Sequence, residues 1–174
     1  MNEEETQIRI LVAASSKHGS TEEIGHHIAQ ALRSENIAVV EMRPDEVERL
    51  EIFDAVVLGS AVYAGHWMKD AKVLAATIGE LETMPDVWLF SSGPLGDPPK
   101  PDEDPVDVAD VMELTNARGH RVFSGKIDKS DLSFGEKAVM VAVRAPEGDF
   151  RPWEEITSWA CGIAKTVERK VMST

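Results

Sequence analysis

The sequence contains one cysteine, few basic residues and no long apolar run. Because Cys161 is alone among the 174 residues, an intrachain disulfide is excluded, and a cytoplasmic location is expected. Lysine and arginine total 18 against 31 acidic residues, which gives a formal net charge of −13. This charge argues against nucleic-acid binding, which needs a basic surface, and suits a positively charged protein partner.

No apolar stretch is long enough to span a bilayer, and residues 1–5 are acidic where a signal peptide would be basic. A length of 174 residues suits one domain over residues 1–174, and a hydrophobic content of 43% indicates a globular chain. Five histidines are present, but His26 and His27 point in different directions on a helix, and no Cys pair accompanies them. No metal site is therefore expected.

Apolar runs alternate with helical patterns, which predicts a parallel sheet covered by helices on both faces. The predicted strands are 8–14, 38–42, 55–60, 87–92 and, more weakly, 121–127. Helices are predicted from Ser20, over 44–50, 68–81 and 105–117, and from Pro152. Residues 128–146 do not fit this alternation and are interpreted as an insertion before the last helix, with a helical stripe within 132–144.

The first loop of the pattern is rich in hydroxyl groups and lies between a buried strand and a helix. Unpaired backbone N–H groups and the helix dipole at such a junction favour a bound anion. Side-chain donors are expected from Ser15, Ser16, Ser20 and Thr21. Ser20 and Glu23 have the spacing of a capping box. The loop therefore predicts a phosphate site.

Two further loops follow later strands, at residues 59–67 and 91–97. Both contain glycine, which permits close backbone approach, and the first carries Tyr63, the only tyrosine of the chain. Ligands of open α/β sheets bind beyond the carboxyl ends of the strands, where these loops lie. A phosphate site beside an aromatic slot indicates flavin mononucleotide (FMN).

These loops carry a family resemblance. Residues 16–21 (Ser-Lys-His-Gly-Ser-Thr) resemble the Thr-x-Thr-Gly-x-Thr phosphate loop of flavodoxins. Residues 60–66 and 145–153 resemble more closely the menaquinone-dependent protoporphyrinogen dehydrogenases and their flavodoxin-domain relatives. The resemblance implies a doubly wound α/β sheet of five parallel strands in the order 2-1-3-4-5, and FMN as cofactor.

By position in the family motifs, three groups of residues are implied to bind FMN. The phosphate would be held by Ser16, His18, Gly19, Ser20 and Thr21. Tyr63 would stack on the flavin ring, which Ala61, Val62, Ala64 and Gly65 would line. The pyrimidine edge would meet Ser92, Gly93, Pro94, Leu95 and Gly96.

The phosphate loop departs from flavodoxins at Lys17 and His18, which replace small neutral residues. We expect these two side chains to make the phosphate site more positive, to tighten phosphate binding and to raise the flavin potential. The insertion is less basic and less apolar than a membrane-docking segment, which argues against membrane contact and quinone use.

Three functions remain open. The family branch implies an FMN-dependent oxidoreductase that oxidises protoporphyrinogen, with a quinone or another carrier as acceptor. The alternative is an electron carrier with a basic redox partner protein and no organic substrate, which the acidic surface favours. The third is a module that keeps the fold without flavin, against which the intact first loop argues. The residues assign no catalytic acid or base, and they leave homodimer formation open.

Overall fold

The computed structural model describes residues 7–93, 104–143 and 147–173. Its strands are β1 (Arg9–Ser15), β2 (Ala38–Met42), β3 (Ala55–Tyr63), β4 (His66–Trp67), β5 (Asp86–Ser92), β6 (Gly119–Phe123), β7 (Lys126–Ile127) and β8 (Gly148–Asp149). Its α-helices are α1 (Ser20–Ser34), α2 (Lys69–Gly79), α3 (Val108–Thr115), α4 (Phe134–Val143) and α5 (Trp153–Met172). None of the described helices is both long enough and apolar enough to cross a membrane.

The main sheet has the strand order β2-β1-β3-β5-β6, and the strands along this path are parallel. Because β4 only forms a hairpin with β3, this order is the predicted 2-1-3-4-5 of the five parallel strands. The point where the strand order reverses lies between β1 and β3. Ligands of doubly wound sheets bind beyond the carboxyl ends of the strands at such a point.

Alternation along β1 divides the apolar side chains between two cores. Ile10 and Val12 pack in the cluster formed with α1 and α5, whereas Leu11 and Ala13 pack on the opposite face, against α2 and α3. Successive side chains of a strand point to opposite faces, so a strand buried on both sides is a continuous apolar run. The prediction of helices on both faces is confirmed.

Two elements differ from the sequence-based prediction. The helix expected over 44–50 is a short 3₁₀ helix, Pro44–Glu46. The fifth strand ends at Phe123, and β7 pairs instead with β8 in a separate two-stranded sheet. The break lies beside Gly125, where an added Cβ would be 3.1 Å from the Gly93 Cα. The backbone at Gly125 therefore passes close to Gly93, the first residue after β5.

Candidate functional site

The carboxyl ends of three adjacent strands bring the predicted site loops together. In the strand register, Ser15 at the end of β1 is opposite Ser60 of β3, and Ala61 is opposite Ser92 at the end of β5. The loop before α1, the β3–β4 hairpin and Gly93 therefore lie along one edge of the sheet. Pro94, Leu95 and Gly96 lie outside the described residues, as do residues 145 and 146 of the second family motif.

The first loop forms an anion cradle. The Ser16 Oγ accepts hydrogen bonds from the backbone N–H groups of Gly19, at 2.9 Å, and of Thr21, at 3.4 Å. Gly19 has φ +86°, a left-handed conformation that suits glycine, and α1 begins at the next residue. Two N–H groups at the start of a 15-residue helix thus converge on one oxygen atom. This donor set fits a phosphate oxygen.

The expected capping box is wrong. Gly19 occupies the N-cap position, and no side-chain cap is formed at α1. The Glu23 carboxylate instead pairs with the Arg151 guanidinium at 2.5 Å, and the same guanidinium donates to the Ser20 carbonyl at 3.3 Å. Arg151 thereby ties the first turn of α1 to the segment before α5.

The hydroxyl residues of the loop are not equivalent. Ser15 and Thr21 are buried, whereas Ser16 and Ser20 are partly exposed. The Ser15 hydroxyl donates to the Asp70 carboxylate at the start of α2. This hydrogen bond joins the end of β1 to the start of α2, a contact that the sequence did not predict.

Lys17 and His18 of the loop share a partner from the insertion. The Glu136 Oε1, on α4, lies 2.6 Å from the Lys17 Nζ and 3.2 Å from the His18 Nε2. The hydrogen bonds from Lys17 and from Ser133 hold the pKa of the Glu136 carboxyl well below its usual range. The expected excess of positive charge at Lys17 is therefore offset by a carboxylate from a distant part of the sequence.

Tyr63 lies in a hairpin rather than in an open loop. β3 continues through Tyr63, and the chain turns at Ala64 and Gly65, which have φ +49° and +81°, before β4. Positive φ at both central residues is typical of a tight hairpin turn. The turn leaves Tyr63 37% exposed, and the Lys17 Nζ lies 5.5 Å from the centroid of its ring. Burial, together with the charge of Glu136, raises the pKa of Tyr63 to about 12.

Behind the hairpin lies a hydrogen-bond chain that the sequence does not indicate. The Trp67 Nε1–H donates to the Ser91 Oγ at 2.8 Å, and the Ser91 Oγ forms a hydrogen bond with the His120 Nε2 at 2.8 Å. The His120 Nδ1 lies 3.2 Å from the Asp104 Oδ1, and burial lowers the pKa of His120 despite this carboxylate. Neutral His120 with its proton on Nδ1 satisfies every member.

This chain of contacts joins the hairpin to the strand end before Gly93. Trp67 is 3% exposed, so it supports the site from behind. Asp107 adds a second support, since its Oδ2 accepts from the Trp67 backbone N–H at 2.9 Å. A lone Trp and a lone His, 53 positions apart, give no sequence signal that they share a partner.

Comparisons with known proteins agree with this geometry. The family model of the flavodoxin domain matches residues 11–151. A flavodoxin from the domain Archaea superposes with a TM-score of 0.62 at 16% identity, covering 92% of this chain and 99% of that one. Flavodoxin 1 from Bacillus cereus gives a TM-score of 0.61 at 14% identity, with 90% and 97% covered.

The same fold is found within a larger protein. Rubredoxin oxygen:oxidoreductase from Desulfovibrio gigas superposes with a TM-score of 0.64 at 16% identity, covering 96% of this chain but 38% of that protein. No curated protein matches the sequence significantly. The structural similarities show the fold, and the family model covers most of the sequence. The chain belongs to the flavodoxin domain family.

Proposed function

We propose that this protein binds FMN noncovalently and uses it to transfer electrons. The observation that carries the proposal is the convergence of the Gly19 and Thr21 N–H groups on one oxygen position at the start of α1. Tyr63 lies at the end of the neighbouring strand and is partly exposed, so its ring can contact a flat ligand. A phosphate cradle beside an aromatic ring matches the two ends of FMN.

The residues of the chain have distinct roles in this proposal. The Gly19 and Thr21 N–H groups, with the Ser16 and Ser20 hydroxyls, would hold the phosphate by charge-assisted hydrogen bonds. Tyr63 would stack on the ring, with Ala61, Val62, Ala64 and Gly65 around it, while Ser92 and Gly93 would approach the pyrimidine edge. FMN supplies the one- and two-electron chemistry, whereas the protein binds and orients it.

The charge of the chain favours a basic redox partner protein. A formal net charge of −13 gives long-range attraction to a positive surface, which raises association rates at low ionic strength. A carrier needs such encounters to be fast and reversible. We therefore place electron transfer between proteins first.

Oxidation of an organic substrate such as protoporphyrinogen, with a quinone or another carrier as acceptor, is the second candidate. One observation favours it: α4 carries two strongly exposed apolar side chains, Phe134 and Val141, on the helix that contacts the phosphate loop through Glu136. An apolar face beside the flavin site would suit a large apolar substrate. The comparisons support the family and not this branch.

Anaerobic assays separate the two candidates. The FMN-loaded protein is reduced, and its reoxidation is followed with a basic redox protein or with a quinone. In a second assay, turnover of protoporphyrinogen is followed with the oxidised protein. Rapid exchange with the basic protein alone supports the carrier, whereas porphyrinogen turnover with a quinone supports the enzyme.

Replacing both Ser16 and Ser20 with alanine is expected to weaken FMN binding by about 1–3 kcal/mol, because hydrogen bonds from two hydroxyls to a charged group are lost. Quenching of FMN fluorescence during titration measures the change. The control is Thr166→Ala with Ser173→Ala, which removes one hydroxyl in the C-terminal half of α5 and one just after it, each of which bonds to a carbonyl of α5. Equal affinities of the two double variants would contradict the assignment of the loop.

A further inference from the structure

The contact between Glu136 and the phosphate loop joins residues 119 positions apart in the sequence. Glu136 is fixed from its own side as well. Its Oε2 accepts the Ser133 backbone N–H at 2.8 Å, while the Ser133 Oγ accepts the Glu136 N–H at 3.3 Å. This reciprocal capping holds the carboxylate at the start of α4, from where its other oxygen reaches Lys17 and His18.

The contact also involves the aromatic side of the site. The Lys17 ammonium that pairs with Glu136 lies over the Tyr63 ring, at 5.5 Å from the centroid. One cation therefore connects the phosphate loop, the hairpin and the insertion. A ligand whose phosphate binds the loop and whose ring stacks on Tyr63 would therefore bring both of these groups close to the Lys17 ammonium.

A phosphate monoester and the Glu136 carboxylate need the same donors. The phosphate carries about −1.5 to −2 charges near neutral pH. Beside Glu136 the phosphate would meet a like charge, while the positive charge of Lys17 is already paired with that carboxylate. The resulting repulsion weakens phosphate binding. A phosphate that pairs with Lys17 must therefore compete with Glu136 for it.

We propose that Glu136 is an internal competitor for the phosphate site, which sets how tightly the loop binds a phosphate group. The proposal rests on the proposed function for its natural ligand, FMN. With the carboxylate in place, Lys17 and His18 attract a small anion only weakly. A ligand that also stacks on Tyr63 gains enough from the ring contact to displace Glu136. Because this competition weakens the binding of free phosphate and of FMN alike, only a ligand that also gains the ring contact binds the loop appreciably.

The test is the affinity of Glu136→Gln for FMN, measured by fluorescence quenching at constant ionic strength. Glutamine keeps the size and the hydrogen-bonding oxygen but removes the charge, so we expect FMN to bind about 5- to 10-fold more tightly. Asp131→Asn, which removes one negative charge from an exposed residue of the insertion, is the matched control and should bind like the unaltered protein. Unchanged or weaker binding by Glu136→Gln would overturn the proposal.

Lys17→Gln supplies a second readout through a double-mutant cycle. If Glu136 pairs with Lys17 and so competes with the phosphate, Lys17→Gln changes FMN affinity little in the original protein. In the Glu136→Gln background the same substitution weakens FMN binding about fivefold or more. Equal effects of Lys17→Gln in both backgrounds would contradict the competition. A purely structural role of the ion pair would instead make Glu136→Gln bind FMN less tightly.

Inorganic phosphate distinguishes failure of this inference from failure of the proposed function. If the unaltered protein does not bind FMN, the proposed function is wrong, and phosphate then decides the inference alone. Thermal unfolding is compared in phosphate and in chloride at matched ionic strength. Stabilisation by phosphate that is larger in Glu136→Gln than in the unaltered protein supports competition, and equal stabilisation overturns it.

Discussion

Replacing Gly59 with alanine is expected to destabilise the protein by about 3 kcal/mol, the upper end of the usual cost of overpacking a core. Gly59 lies in β3, and a Cβ built there would be 2.0 Å from the Phe90 Cζ. The Phe90 ring is fully buried and packs against Phe123 and Trp159, with both ring centroids at 6.2 Å. The ring therefore has no free space into which it can move.

Chemical denaturation of Gly59→Ala measures this loss, and Gly119→Ala is the matched control. Gly119 is also in a parallel strand, but an added Cβ would have no atom within 4 Å. Because both substitutions reduce the entropy of the unfolded chain equally, their difference isolates the clash. Similar stabilities of the two variants would show that the close packing of Gly59 on Phe90 is wrong.

Replacing Arg151 with methionine is the second substitution with a large expected effect, a loss of about 2 kcal/mol. The side chain is 4% exposed, pairs with Asp149 at 2.6 Å and with Glu23 at 2.5 Å, and lies 4.5 Å from the Trp153 ring centroid. Methionine keeps much of the apolar packing but leaves both carboxylates without their partner. The loss stays moderate because Asp149 and Glu23 are 42% and 58% exposed and can be hydrated.

The effect of Arg151→Met is expected to depend on pH. Hydrogen bonding to Arg151 lowers the pKa of Asp149, so this carboxylate stabilises the folded protein above the pKa of the unfolded chain, about 3.9. That contribution disappears as the pH falls through the lower pKa of the folded state. The difference in unfolding free energy between the two proteins should therefore narrow in acid.

Denaturation at several pH values measures both effects, with Arg49→Met as control. Arg49 pairs with Glu51 at 3.0 Å, but both side chains are mostly exposed, so its replacement should change stability by less than about 0.5 kcal/mol. A stability of Arg151→Met equal to that of Arg49→Met would show that the Arg151 contacts do not hold α1 against the segment before α5.

Much of the fold could be predicted because the parallel strands are buried on both faces. The apolar runs at β1, β3 and β5 are unambiguous, and the helical repeat of α2 identifies its buried side. Short elements were harder to predict, because tertiary packing decides where they form. The 3₁₀ helix at Pro44 and the separation of β7 from β6 depend on packing that periodicity does not contain.

The backbone part of the candidate site was also accessible from the sequence. A hydroxyl-rich loop between a strand and a helix implies the cradle that the Gly19 and Thr21 N–H groups form around Ser16. Contacts between distant side chains were not accessible. Nothing near Lys17 in the sequence indicates that Glu136 lies against it, and nothing near Trp67 indicates the chain to Ser91 and His120.

Titration of the protein with FMN and with riboflavin, which has the same ring but no phosphate, tests the central claim most directly. If the loop before α1 holds the phosphate, FMN is taken up with its fluorescence quenched, and riboflavin binds at least about 100-fold more weakly, since several charge-assisted hydrogen bonds are missing. Equal binding of the two flavins would contradict the role of the loop. Binding of neither would contradict the proposal that the protein carries FMN.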